Sequence, residues 1–160
     1  MKILGIDPGS RITGYGILEV ENLKLMTCLE GGAIRLLETS FPKRLGQLFT
    51  RLREVIEHHQ PTVMAIEQVF VHQNVQSALK LGHARGVAIA AASLSGLPVF
   101  EYAPRLVKKT VVGYGAAEKH QVQHMVRAVL NLNKLPQADC ADALAIALCH
   151  AYHLPLLQKG

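Results

Sequence analysis

Two short, mostly apolar runs, Lys2 to Asp7 and Val63 to Glu67, each end in an acid, and this recurrence constrains the fold more than any other feature of the chain. An apolar run of four to eight residues bounded by turn formers reads as a strand buried on both faces of a sheet. Pro8-Gly9 closes the first run and Pro61 resets the chain before the second. In α/β sheets ligands bind outside the carboxyl ends of the strands. Asp7 and Glu67 are therefore expected at the working edge of one sheet.

The periodicity between and after these runs supplies the remaining elements. Thr13 to Glu21 and Leu23 to Leu36 alternate in the manner of antiparallel strands, which predicts a three-strand meander with a bulge or bend at Gly31-Gly32. From Pro42 the period lengthens: Leu45, Leu48, Phe49, Leu52, Val55 and Ile56 recur at three- and four-residue steps, the stripe of an amphipathic helix. Arg44, Arg51 and Glu54 fall off that stripe and are expected in water. Ser77 to Leu94 reads as a helix rich in Ala and Gly and apolar nearly all round, suited to burial against the sheet and against a second subunit. Pro98 to Tyr102 reads as a fifth strand, Pro104 opens a short basic helix, and further helices are expected over Glu118 to Leu130 and Asp139 to His153. The order predicts an α/β domain over residues 1–153, a mixed five-stranded sheet with its first three strands antiparallel and helices on its faces, followed by a short tail over residues 154–160.

A chain of 160 residues suits a single compact domain. Lys and Arg number 17 against 12 Asp and Glu, a net charge of +5 that favours a polyanionic partner without identifying one. Cys28, Cys140 and Cys149 form no CxxC pair, which argues against a zinc knuckle or a disulfide framework. Without a signal-peptide pattern or an uncharged apolar run of about 18 residues, the expected location is the cytoplasm, with no membrane partner.

Asp139 and Asp142 stand three apart at the start of the last helix, so their side chains share one face. If that helix end packs over the carboxyl ends of the two acidic strands, all four carboxylates share a small volume. Phosphodiester hydrolysis has to activate a water, neutralise a pentacoordinate phosphorus centre and stabilise a leaving oxygen, tasks two hard cations about 4 Å apart can divide. Mg²⁺ takes oxygen ligands and retains waters, so a few carboxylates plus a substrate phosphate complete its shell. Each acid also has an ordinary reading: Asp7 as a turn former in Asp-Pro-Gly, Asp139 and Asp142 as acids at a positive helix end, Glu67 as a solvated strand end. His120 and His124 lack the adjacent Glu of an HExxH site and read as surface residues. His150 and His153 are placed to favour the negative end of the last helix. No side-chain nucleophile has a supporting motif, and water is the expected attacking group.

The segments GIDPGSRITGYGI, MAIEQVF, SALKLGHARG, VFEYAPRLVKKTVVG, AEKHQVQHMV and ADCADALAIALCH, in unbroken order from Met1 to about His153, resemble the bacterial RuvC family of Holliday junction resolvases. The resemblance implies an RNase H-like fold, a homodimer, dependence on Mg²⁺ with Mn²⁺ as a substitute and two ions per subunit, and symmetric nicking of four-way junction DNA in recombination and repair. It also implies cooperation with the RuvA and RuvB branch-migration proteins. The family's catalytic acids match Asp7, Glu67, Asp139 and Asp142. Phe70 matches an aromatic beside the active site that stacks on an unpaired base, and Lys108 and Lys119 match basic positions that contact phosphate. Arg85 is a further candidate DNA contact, with Lys109 and Arg127 as neighbours. One departure is the loop Val71-His72-Gln73-Asn74, where relatives often carry a lysine near Gln73.

A rival of a different class is nucleotide binding, because Asp7-Pro8-Gly9 through Thr13-Gly14 also resembles the first phosphate loop of actin-like ATPases and sugar kinases. Those proteins close two lobes over ATP and need roughly twice this length.

Overall fold

The computed structural model describes residues 1–70 and 74–154. The elements run β1 (Lys2–Asp7), β2 (Ile12–Asn22), β3 (Leu25–Arg35), α1 (Phe41–His59), β4 (Val63–Glu67), α2 (Val75–Leu94), β5 (Val99–Tyr102), α3 (Pro104–Val111), α4 (Lys119–Val129) and α5 (Ala138–His153). One five-stranded sheet has the order β3-β2-β1-β4-β5. β1, β2 and β3 pair antiparallel, while β1, β4 and β5 run parallel. The mixed sheet with an antiparallel first half is the one the periodicity predicts.

Period-2 alternation decides what each face of the sheet carries. Leu4, Ile6, Met64 and Ile66 point to one side, where they pack with Leu48, Leu52 and Ile56 of α1 and the alanines of α2. Ile3, Val63 and Ala65 point to the other, where α3, α4 and α5 supply Val107, Val122, Val126, Leu144 and Leu148. Burying each such aliphatic side chain is worth about 1.5–3 kcal/mol. By the same alternation Asp7 and Glu67, the last residues of β1 and β4, fall on the α5 side.

The last helix α5 is the central strut. Residues 143–151 of this helix are buried throughout, with alanine at 143, 145, 147 and 151. The sheet meets it with glycines: a Cβ added at Gly5 would strike the Ala143 carbonyl, one at Gly14 the Asp139 carbonyl, and one at Gly16 the Leu144 side chain. These glycines let backbone approach backbone, which brings the start of α5 down onto β1 and β2.

Two local expectations are corrected. Gly31 and Gly32 pair regularly with Gly16 and Tyr15; the bulge lies at Leu29, left over between the pairs Ile17↔Glu30 and Leu18↔Cys28. Gly31 is small because Cys140 Sγ occupies the place of its Cβ. Arg44, expected in water, is only 8% exposed. Its guanidinium donates to the Glu38 and Thr39 carbonyls and lies 5.5 Å from the centre of the Phe41 ring, so it holds the β3–α1 connection.

α1 begins as its sequence requires, with Ser40 Oγ accepting from Lys43 N–H and Pro42 in the first turn. α2 is capped by Asn74, whose side chain accepts from Ser77 N–H. The tail beyond Leu154 lies outside the described residues.

Candidate active site

Parallel pairing of β1 with β4 sets Ile6 opposite Ile66, so Asp7 and Glu67 emerge side by side at the same sheet edge. α5, seated on the glycines of β1 and β2, brings Asp142 to them. Asp7, Glu67 and Asp142 line one cleft of about 250 Å³, walled by Pro104, Val107 and Lys108 of α3, Lys119 and Val122 of α4, and Ala145 and Ile146 of α5. Asp139, one helical turn before Asp142, does not line this cleft, yet its charge acts on both Asp7 and Asp142. Three of the four predicted acids thus share a cavity and the fourth stands at its margin.

The electrostatics are those of like charges forced together in a poorly solvated place. Burial, then the charges of Glu67 and Asp142, a hydrogen bond to Glu67 and the charge of Asp139 push Asp7 up from 3.8 to about 8. Burial, with the charge of Asp142, also raises Glu67, while its hydrogen-bonding contact with Asp7 and the charges of Lys108 and Lys119 act in the opposite sense, so the two acids favour sharing one proton. Asp142 is raised by burial and by Asp139, while Lys119 and Lys108 act in the opposite sense.

Among the described residues no three carboxylate, imidazole or thiol groups close into a ready-made metal cage. The donor set nevertheless fits a hard cation that keeps its own waters. Mg²⁺ is ordinarily held by one or two carboxylates completed by water and phosphate, and a divalent charge would relieve the repulsion now masked by a shared proton.

Phe70 lies just beyond β4 and is 53% exposed. With Asp7, Pro8, Glu67, Gln68, Val69, Leu81 and Pro104 it lines a second recess that shares its acids with the first. Lys108 of α3 and Lys119 of α4 come from different helices to line the same cleft as the acids. Val71, His72 and Gln73, in the loop expected to depart from the family pattern, lie outside the described residues. Arg85 is differently engaged: its Nε donates to the Glu67 carbonyl at 3.0 Å, and its Nη2 is 2.8 Å from Glu101 Oε2.

The family model for crossover junction endodeoxyribonuclease RuvC matches residues 3–150. The chain belongs to the RuvC family. Relatives named crossover junction endodeoxyribonuclease RuvC include one from Pectobacterium atrosepticum, 59% identical over 94% of this chain and 88% of its own length. Another, from Photorhabdus laumondii, is 57% identical over 99% of this chain and 91% of its own. Among solved structures, Thermus thermophilus RuvC in complex with a Holliday junction substrate is 35% identical, with a TM-score of 0.89 over 96% of this chain and 94% of its own. The yeast mitochondrial Holliday junction resolvase has a TM-score of 0.66 at 14% identity, over 92% of this chain and 77% of its own, and shares the fold. Membership of the RuvC family sets aside the two-lobed nucleotide-binding reading of Asp7-Pro8-Gly9.

Sequence reasoning missed two features near the site. Glu101, the partner of Arg85, carried no signal because an acid on a short edge strand reads as solvated. His150 is only 2% exposed, its Nδ1 lies 2.6 Å from the Tyr102 hydroxyl, and its ring is 4.7 Å from that of Phe100. Burial lowers its pKa below the ordinary value, so at neutral pH it is uncharged and offers the helix end no cation. That corrects the expected role; instead His150 packs β5 against α5. No helix among the described residues is long and apolar enough to cross a membrane.

Proposed function

We propose that the chain is a Holliday junction resolvase that hydrolyses phosphodiesters of four-way DNA junctions at the Asp7–Glu67–Asp142 cleft. The observation that carries this reading is the meeting of those three half-buried acids, flanked by Lys108 and Lys119, in a chain that matches the RuvC family almost end to end.

The acids supply oxygen ligands for divalent metal, with Mg²⁺ the expected ion, Mn²⁺ a substitute, and two ions per subunit at work on the phosphate. Bound there, the metal supplies Lewis-acid activation of a water and neutralises charge on the phosphate. Asp7 and Glu67 set the ligand directions because each is anchored at a strand end inside the sheet. Asp142 faces them from α5, and Asp139, one helical turn earlier at the cleft margin, would complete the set. Lys108 and Lys119 hold the scissile strand by charge, and their ammonium groups oppose the upward push that burial gives Glu67 and Asp142. Phe70 stacks on a base freed near the crossover, an interaction worth about 1–3 kcal/mol. Water is the nucleophile, and the cleft contains no Ser, Thr or Cys among its lining residues.

A homodimer matches the near two-fold symmetry of a junction. Val75, Leu79 and Leu94 of α2 and Phe100 on the edge strand are exposed apolar side chains, surface a second copy would cover. Sedimentation showing only monomer at micromolar concentration would contradict the dimer. Cooperation with RuvA and RuvB and a cytoplasmic setting follow from the same reading.

The test is incubation with a synthetic mobile four-way junction and with linear duplex of the same sequence, each with and without Mg²⁺. Paired symmetric nicks on the junction alone, only with Mg²⁺, are expected. Equal nicking of the duplex, or none of the junction, overturns the reading.

A further inference from the structure

We infer that Arg85 is a positioning residue for Glu67, clamping the carboxyl end of β4 to β5 through Glu101, and that it does not bind DNA phosphate. The inference rests on the nuclease reading of the acidic cleft. Arg85 rises from α2, where Ala84 and Ala88 are fully buried against the sheet, and its side chain is 18% exposed. Nε donates to the Glu67 carbonyl at 3.0 Å while Nη2 pairs with Glu101 Oε2 at 2.8 Å. Glu101 stands beside Ile66 in the β4–β5 ladder, so one guanidinium bridges neighbouring strands at the edge where Glu67 emerges.

The geometry has a physical purpose. The Glu67 carbonyl belongs to the last residue of β4, where the regular ladder ends and a half-buried carbonyl needs a partner from elsewhere. Gln68 N–H is taken by the Tyr102 carbonyl at 2.9 Å, so both polar groups of the peptide joining Glu67 to Gln68 are fixed from β5 and α2. Fixing that peptide fixes where the Glu67 side chain leaves the backbone and where the segment to Phe70 begins. An arginine suits the task because its rigid planar fork carries a directed Nε–H donor to the Glu67 carbonyl and, on the same group, a charge set against the Glu101 carboxylate, a combination the single point charge of a lysine lacks. With Glu101 against it, the guanidinium presents little unbalanced charge to a polyanion.

Two roles for Arg85 predict opposite behaviour. A phosphate contact would weaken junction binding when removed, would lower the salt slope by about one, and would be strengthened by freeing it from Glu101. A positioning residue changes the rate on bound substrate. The experiment measures metal-free junction binding across a range of salt, and the cleavage rate of fully bound junction with Mg²⁺, for the parent, Arg85→Lys, Arg85→Gln and Glu101→Gln. Thermal melting verifies that each is folded. Affinity within about twofold of the parent, an unchanged salt slope, and cleavage reduced about tenfold or more in Arg85→Lys are expected. Glu101→Gln, at a more exposed position, should slow cleavage less but in the same direction. The inference is overturned if Arg85→Lys cleaves at the parent rate, if Arg85→Gln lowers the salt slope, or if Glu101→Gln tightens junction binding with cleavage unchanged. If Arg85→Gln does not fold, Glu101→Gln decides by the sign of its two effects. A parent that nicks no junction indicts the function itself, whereas a parent and variants that nick alike indict only the role of Arg85.

Discussion

Asp7 and Glu67 end two adjacent parallel strands side by side, and burial with repulsion from neighbouring acids pushes both carboxyl groups above the usual carboxylate range, so the pair holds a proton where the proposed chemistry would place a cation. The proton is held because β1 and β4 end in register and because burial, reinforced by Asp142 and Asp139, makes a second ionised carboxylate costly there.

Stability of the metal-free protein should fall as pH rises. Asp7 goes from 3.8 in a free chain to about 8 when folded, so between those values the folded state holds a proton that the unfolded state has released. The contribution is full below about pH 4, is lost progressively, and is gone above about pH 8. Glu67 and Asp142 shift in the same sense. Asp7→Asn removes the Asp7 share of the dependence, and at about pH 8 should be more stable than the parent by about 1 kcal/mol or more in chelator. Urea denaturation of both proteins at several pH values checks this; a parent–variant difference that does not vary with pH contradicts it.

Divalent metal should reverse that trend and release protons. Mg²⁺ binds the ionised acids, so it should raise the melting temperature of the parent more at about pH 8 than at about pH 6, and should do so weakly in Asp7→Asn. Calorimetry of the parent in two buffers of different ionisation heat reads the released proton directly. Equal heats in both buffers at about pH 7 would count against the shared proton as the ion's competitor.

Much of this site is legible in the sequence, and the rest fails for identifiable reasons. An acid at the end of an apolar run announces itself, and so does the stripe of α1. Residues whose partners come from distant elements do not. Arg44 and Arg85 lie on helices where an arginine normally faces water, and only the tertiary fold reveals the carbonyls each serves. Gly31-Gly32 reads as a bulge because glycine often marks irregular backbone, whereas here Gly31, like Gly5, Gly14 and Gly16, makes room for α5. The helical spacing of Asp139 and Asp142 puts both on one face but does not say how far that face reaches, and only Asp142 enters the cleft.

Lys108 and Lys119 should each contribute one phosphate contact. In metal-free binding to a four-way junction, Lys108→Ala or Lys119→Ala should weaken affinity and reduce the slope of log affinity against log salt by about one. Each ammonium also favours ionised Glu67 and Asp142, so both substitutions should slow cleavage of fully bound junction as well. A salt slope unchanged in both variants would remove them from the DNA interface.

The most direct test of the account replaces the acids by their amides and compares binding with cutting on the same junction. Asp7→Asn, Glu67→Gln and Asp142→Asn each remove one proposed metal ligand and leave Lys108 and Lys119, the proposed phosphate contacts, in place. Each is predicted to bind the four-way junction at least as tightly as the parent and to nick it at a rate lower by about a hundredfold or more in Mg²⁺. A folded variant among these three that cuts the junction at the parent's rate would show that the cleft is not where the backbone is severed.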